Sequence, residues 1–378
     1  MTGMKKLFNI WMTCVALAAL TGCNDNAISP VPHSSYIFFD SQVDTKGELV
    51  SDMKGKDFGV TAYKYKGYWE TVRGGQMKPN VFHRQLVSWS GTAHEYDASG
   101  SSLNPGGTPL VPWEGNGLLY TFFAYYPYDK VTASGLDVDG EPYVDYHLNH
   151  ADMVDVMTSY KVKDVDNSHS NSVGLTMKHR LSAIDVHVCN YINDVNGKAV
   201  TVKVTDLSVT YVNLLYSDVS LWMDPEYKPE DSVLDPGVRA LNKAGSPSAT
   251  FSILSGTAAG SVPKEGRLNV TGGQNGKTMI VIPQKKTDGS YLKGKVSFKF
   301  SFHDDEGRPV AVPLINDSGD GTVDVTSGER NDVPFDMQKD ILEGQKYYIQ
   351  LIFMNGLITL NAVSDTYWED KNIDIEFE

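Results

Sequence analysis

Hydrophobic residues in this chain fall into short runs, some continuous and some alternating with polar residues. Gly, Pro, Asn and Asp gather between the runs. Tyr36-Ile37-Phe38-Phe39 is the first compact run, and its lack of alternation predicts a strand buried on both faces. Phe58-Gly59-Val60-Thr61-Ala62-Tyr63 predicts another strand. Leu118 to Tyr126 predicts a strongly β-prone one, stopped by Pro127, which has no N–H for a ladder. Residues 181–192 and 199–212 alternate on either side of Asn196-Gly197, a pair that accepts the positive φ angles of a type I′ turn, so a hairpin is expected there. Asn355-Gly356 joins 347–354 to 357–363 in the same way, and Ile373-Asp374-Ile375-Glu376-Phe377 alternates with period two. No helical period extends over more than about three turns. Repeated short strands bounded by turn residues predict an all-β protein of β-sandwich type. Lys163 to Asn171 is polar and aperiodic, and it predicts a boundary between a domain at 36–168 and a second at 169–378.

The N-terminal stretch has a different pattern. Lys5-Lys6 precede an apolar run from Leu7 to Leu20, which fits a signal-peptide core and is too short to span a bilayer. Leu20-Thr21-Gly22-Cys23 then resembles a bacterial lipobox, with cleavage between Gly22 and Cys23 and a diacylglyceryl group on Cys23. Residues 1–22 are thus expected to be a lipoprotein signal peptide. Residues 23–35, with Pro30 and Pro32, are expected to be a tether to the outer membrane. Buried acyl CH₂ groups contribute ~0.8 kcal/mol each, so several chains anchor firmly.

Composition narrows the function. The 378 residues suffice for two domains, and 20 Tyr and 34 Gly suit strands and turns. The formal charge is −14, and loss of 1–22 removes Lys5 and Lys6 but no acid. That balance argues against nucleic acid as a partner, since phosphates would be repelled. Beyond Cys14 and Cys23 the body holds one cysteine, Cys189, in a strand-like context that predicts a buried structural thiol.

Candidate chemistry is sparse. No P-loop, Gly-x-Ser-x-Gly or His-Glu-x-x-His motif is present, and no enzyme activity or cofactor is expected. His147 and His150 with Asp145 and Asp152 match no defined metal spacing. Asn316 to Asp324 offers oxygen ligands but lacks the spacing and terminal Glu of an EF-hand, so it reads as an acidic turn and no metal site is predicted. His179 reads as a structural histidine. Trp69, Trp89, Trp113, Trp222 and Trp368 read mainly as core, although exposed coplanar ones would point to a glycan-binding lipoprotein associated with carbohydrate uptake.

Several segments in order also carry a family resemblance. They are Phe58 to Tyr63, Trp113 to Pro127 with Phe123-Ala124-Tyr125-Tyr126-Pro127, Asp152-Met153-Val154-Asp155, and Leu175 to Leu181 running into Val186 and Val188. Ile282-Pro283-Gln284, Leu342 to Tyr348 and Trp368 follow. Behind a lipobox, this combination resembles the fimbrillin (type V pilin, Mfa-like) lipoproteins of anaerobic Gram-negative bacteria. The resemblance implies two tandem transthyretin-like β-sandwich domains, a place in fimbriae at the cell surface, other fimbrial subunits as partners, and adhesion to host or bacterial surface ligands. It further implies that a protease cuts after a basic residue beyond the first strand. The strand is released, and a neighbour's strand fills the groove. Here the displaced strand would contain Tyr36, Ile37, Phe38 and Phe39, and the cut would fall between Lys46 and Gly47. Lys46 stands where the family has arginine; Arg73 and Arg84 lie beyond the strand at 58–63. Without the cut, the chain would keep its lipid and serve as an anchor or accessory subunit. Ile373, Ile375 and Phe377 form the donor-strand candidate, or else a last strand paired within its own sheet.

Overall fold

A computed structural model describes residues 36–43, 52–74, 77–96, 109–137, 139–147, 154–168, 172–214, 218–227, 238–240, 248–271, 278–285, 291–315, 319 and 321–364. In chain order the strands are β1 (Phe39–Val43), β2 (Phe58–Tyr65), β3 (Phe82–Trp89), β4 (His94–Glu95), β5 (Leu119–Tyr126), β6 (Val131–Leu136), β7 (Pro142–His147), β8 (Met157–Ser159), β9 (Val162–Val165) and β10 (Val173–His179). There follow β11 (Ser182–Tyr191), β12 (Thr201–Tyr211), β13 (Asp218–Trp222), β14 (Val238–Ala240), β15 (Ala249–Ser252), β16 (Ser261–Val262) and β17 (Gly266–Asn269). The last are β18 (Met279–Val281), β19 (Lys293–His303), β20 (Val312–Ile315), β21 (Thr322–Val325), β22 (Ser327–Asp336), β23 (Lys346–Met354) and β24 (Leu357–Ser364). A short helix, α1 (Trp69–Val72), follows β2. The fold is all-β, with two β-sheet domains in tandem.

The main sheet of the first domain runs β2-β3-β4-β1-β10-β8-β5-β9, and β5 also pairs with β2. That extra pairing curls the sheet shut into a ring of seven strands, with β9 beside β8 on β5. Alternation decides which side chains fill the ring. Phe58, Val60 and Ala62 of β2, Tyr120, Phe122 and Ala124 of β5, and Val173, Leu175 and Met177 of β10 share one buried cluster. The opposite set, Tyr63, Tyr65, Phe123 and Tyr125 with Trp69 of α1, faces outward. A second sheet, β14-β13-β7-β6, covers it with Val144, Tyr146, Val219 and Leu221. Ion pairs close the rim of this interface. Glu141, 1% exposed, is paired with Arg73 and lies 3.3 Å from Lys161, which also reaches Asp224 at 3.1 Å. Burial pushes the Glu141 carboxyl above its ordinary value, partly offset by Lys161 and Arg73.

In the second domain, β17-β11-β23-β24 (with β18 on β11) faces β15-β12-β19-β22 (with β16 on β12), and one large apolar core lies between them. The β23–β24 hairpin forms as expected, with Met354 opposite Leu357 and Gly356 at φ 75°. The turn at Asn196-Gly197 also forms, with φ of 52° and 73° and a bridge between Val195 and Lys198. Its flanking strands do not make the expected hairpin, however. β11 pairs with β23 while β12 pairs with β19, so the chain crosses from one sheet to the other at this turn. Both strands carry one apolar face, and each gains more by facing the other across the core than by lying beside it.

Strands on both sides of residue 168 belong to the first sheet. β9, which contains Lys163 and Asp164, pairs with β5, and β10 pairs with β1. Asp164 sits at φ 57° and accepts hydrogen bonds from Tyr65 Oη at 2.9 Å and the Trp69 amide at 2.7 Å. Its polarity marks a satisfied local contact instead of a linker. β13 and β14 return from beyond residue 200 to the first domain. The chain passes from the first sheet to that of β11 at Arg180-Leu181, where β10 runs into β11. Arg180 is fully buried. Its Nη1 donates to the Trp222 carbonyl at 2.6 Å and to Thr158 Oγ1 at 2.5 Å, and its Nε lies 3.0 Å from Glu343 Oε1. Leu181, Ala183, Ile280 and Ile282 pack into the same cluster as Tyr63 and Trp69. Packing and charge therefore join the two domains across the junction.

Candidate functional site: the strand that closes the ring

β1 occupies the gap between β10 and β4. It runs parallel to β10 through five residue pairs, from Phe39 opposite Val173 to Val43 opposite Met177. On the other side it meets the two-residue β4 at one pair, Phe39 opposite His94. Upstream, the Ile37 amide donates to the Val111 carbonyl at 2.9 Å and Tyr36 bridges Pro112. The Val173 amide donates to the Phe38 carbonyl at 2.8 Å. Side chains add two links: Gln42 Nε2 to Thr176 Oγ1 at 3.0 Å, and Ser41 Oγ to His94 Nδ1 at 3.3 Å.

The displaced-strand residues are here, with one correction. Ile37 (0% exposed) and Phe39 (4%) point into the ring, whereas Tyr36 is 41% exposed and Phe38 is half-buried. The run that reads as continuous in sequence thus alternates in space, because only one face of the ring wall is packed at this point. Phe39 is the anchor. Its ring meets those of Phe82, Tyr96 and Phe122 at centroid distances of 5.6, 5.9 and 6.0 Å, all edge-on. Burial of Ile37 and Phe39 contributes ~3–6 kcal/mol gross, an upper bound because the unfolded chain is not fully extended. Taking β1 away would expose the Leu175 and Met177 side of β10 and leave its backbone groups on that edge unpaired.

Other predicted residues distribute as follows. Gly22, Cys23, Lys46, Gly47, Ile373, Ile375 and Phe377 lie outside the described residues, as do His150, Asp152, Asn316 and Trp368. Among the described residues no group of His, Cys, Asp and Glu is placed to hold a metal ion. Asp145 instead accepts a hydrogen bond from Ser220 at 2.6 Å, and Thr322 to Asp324 belong to β21, paired with β20. His179 is fully buried with Nδ1 2.8 Å from Asp155. Trp69 and Trp222 are buried; Trp89 and Trp113 are half-buried and packed edge-on against His94 and Tyr120. No coplanar array of exposed tryptophans exists among the described residues. Arg73 and Arg84 are built into the first domain, Arg84 donating to the Val131 carbonyl at 2.8 Å. Among the described residues no helix is long and apolar enough to cross a membrane.

Sequence reasoning missed both walls of the site. Val173, Leu175 and Met177 alternate with Gly174 and Thr176, a strand signal that was legible. His94-Glu95 had no signal, since a two-residue strand carries no period. The fold as a whole is similar to that of a solved fimbrial protein. A crystal structure of a fimbrial protein from Bacteroides vulgatus superposes with a TM-score of 0.60, covering 88% of this chain and 99% of that one at 18% identity. The fimbrium subunit Fim1C of Phocaeicola vulgatus is 23% identical over 400 residues, spanning 96% of this chain and 97% of that protein. The model of the fimbrillin-like family matches residues 54–219, from just before β2 through the start of β13. Over that stretch the chain is similar to the fimbrillin-like family.

Proposed function

We propose that the chain is a non-enzymatic structural component of a cell-surface fimbrium, a subunit or accessory protein joined to its neighbours by exchange of a β-strand. The observation that carries this reading is β1. It completes an apolar ring through one long pairing and one minimal pairing, and the loop beyond it contains the basic Lys46. Cleavage between Lys46 and Gly47 would detach residues 23–46, and with them the acyl chains on Cys23. A strand from another subunit would then pair with β10 and seat apolar side chains where Ile37 and Phe39 stood, which is β-augmentation. Ile373, Ile375 and Phe377 supply the alternation such a donor needs. Ligands on host or bacterial surfaces would be met by the assembled fimbrium at the outer membrane. The glycan-uptake alternative draws no support from the tryptophans.

The test is to shear appendages from cells and probe them for this chain on denaturing gels without boiling. The proposal expects the chain in the sheared fraction as a ladder of multimers. A chain found only as monomer in the membrane fraction contradicts it.

A further inference from the structure

Sheets ordinarily guard their edge strands with charge, proline, bulges or brevity. Among the described residues, the edges of the second domain's two facing sheets follow that rule except at β24. β22 carries Glu329, Arg330, Asp332 and Pro334, and its register slips between Val296 and Phe298 of β19. β15, β16, β17 and β18 hold only two to four residues each. β24 has none of these guards. Its eight residues, Leu357 to Ser364, include no charge, proline or glycine. Its register with β23 is unbroken, from Leu357 opposite Met354 to Ser364 opposite Tyr347. Met354 and Leu357 close a two-residue turn and so exchange backbone bonds. Alternation then points the N–H and C=O of Ile358 and Leu360 away from β23. On that side, among the described residues, the edge is met only at Gly356, whose carbonyl accepts from the Ile315 amide at 2.8 Å. Ile358 and Leu360 pack against the core yet stay partly exposed. Leu357 (46%) and Ile315 (44%) are exposed beside the Gly356 contact.

We infer that β24 is a docking edge for β24 of a second copy of this chain, the two strands running antiparallel about a two-fold axis. Geometry supports this occupant. An axis at Leu360 sets that residue opposite its own copy and Ile358 opposite Ala362, so the outward backbone groups of the two strands meet. A ladder from Ile358 to Ala362 also clears the Gly356–Ile315 contact at both ends. Charge supports it too. Each chain carries −14, and an uncharged edge lets two such copies approach without setting acid against acid. Pairing would continue β17-β11-β23-β24 into its copy and cover Ile358 and Leu360 of both chains. The inference does not rest on the fimbrial reading, since it uses a different domain from β1 and needs no cleavage.

Sedimentation velocity of the mature chain, residues 23–378 with Cys23→Ser to prevent acylation, tests it over a range of concentrations. The expected result is a reversible monomer–dimer equilibrium. The dimer should tighten at least ~3-fold in high salt, because screening weakens the repulsion between acidic copies. Thr359→Lys with Asn361→Lys sets lysine opposite lysine on both sides of the axis and should weaken the dimer at least ~10-fold. Circular dichroism and the urea midpoint show whether that variant stays folded. If it does not, Leu360→Cys takes its place. On mild oxidation it should form a disulfide-linked dimer at least ~10-fold faster than Tyr68→Cys, which is exposed on the first domain. A chain that stays monomeric at every concentration overturns the inference. So does a dimer that the two lysines leave unchanged in folded protein, or equal crosslinking at both cysteine positions.

Discussion

Replacing Phe39 by alanine removes the side chain that fills the ring beneath β1 while leaving its backbone pairing to β10 in place. Phe39 is 4% exposed and touches three aromatic rings, so no neighbour can slide into the space without breaking contacts of its own. A buried Phe→Ala change costs ~3–5 kcal/mol, and the three edge-on contacts put this site in the upper part of that range. Tyr36→Ala, one turn of alternation away and 41% exposed, should cost no more than ~1 kcal/mol. Urea unfolding at equilibrium, followed by tryptophan fluorescence, measures both. The midpoint of Phe39→Ala should fall well below that of Tyr36→Ala, with little change in slope for either. Equal midpoints would refute the packing of β1 as an anchored part of the ring, and with it the idea that its removal opens an apolar groove.

Two further outcomes follow from buried charge. Arg180→Leu takes the buried guanidinium from Glu343, which keeps only Lys178 at 3.1 Å among the ion pairs described, and from the Trp222 carbonyl, and should cost ~3 kcal/mol in urea unfolding. The double variant with Glu343→Leu should recover part of that loss, and a neutral single variant would show that Arg180 does not bolt the domains. Asp185 has the opposite interest, because its effect depends on pH. Burial pushes its carboxyl up, but Lys346 at 3.0 Å and hydrogen bonds from Thr278, Lys346 and Asn269 outweigh that and hold it below its ordinary value. A depressed folded pKa contributes stability that is present above the unfolded value near ~4 and is lost as pH falls through the folded one. Asp185→Asn should therefore flatten the loss of stability on acidification below about pH 4. Urea midpoints measured from neutral pH down to the acid limb check this, and identical slopes for both proteins would contradict it.

The element types were largely legible, because they rest on local period. Leu119–Tyr126, Lys346–Met354 and the turns at Asn196-Gly197 and Asn355-Gly356 stand where alternation and turn chemistry put them. Partnership was not legible. Nothing near Asn196-Gly197 says that β11 and β12 must face each other across a core, since both arrangements use the same turn and the same alternation. The polar stretch at 163–171 is ambiguous for a related reason. Asp164 is polar because it caps Trp69 and bonds Tyr65, and a satisfied polar contact looks like a linker when its partners are about 95 residues away. At the ring-closing site, the strand itself could be read from Ile37 and Phe39. Its inner and outer faces could not, because Tyr36 and Phe38 are as apolar in sequence as the residues that fill the ring.

The central claim is that β1 is a removable part of the fold. The measurement that tests it most directly is the intact mass and N-terminal sequence of the chain recovered from sheared fimbriae. A start at Gly47, with no acyl mass, is the predicted result. Copies that all begin at an acylated Cys23 and retain residues 36–43 would contradict it.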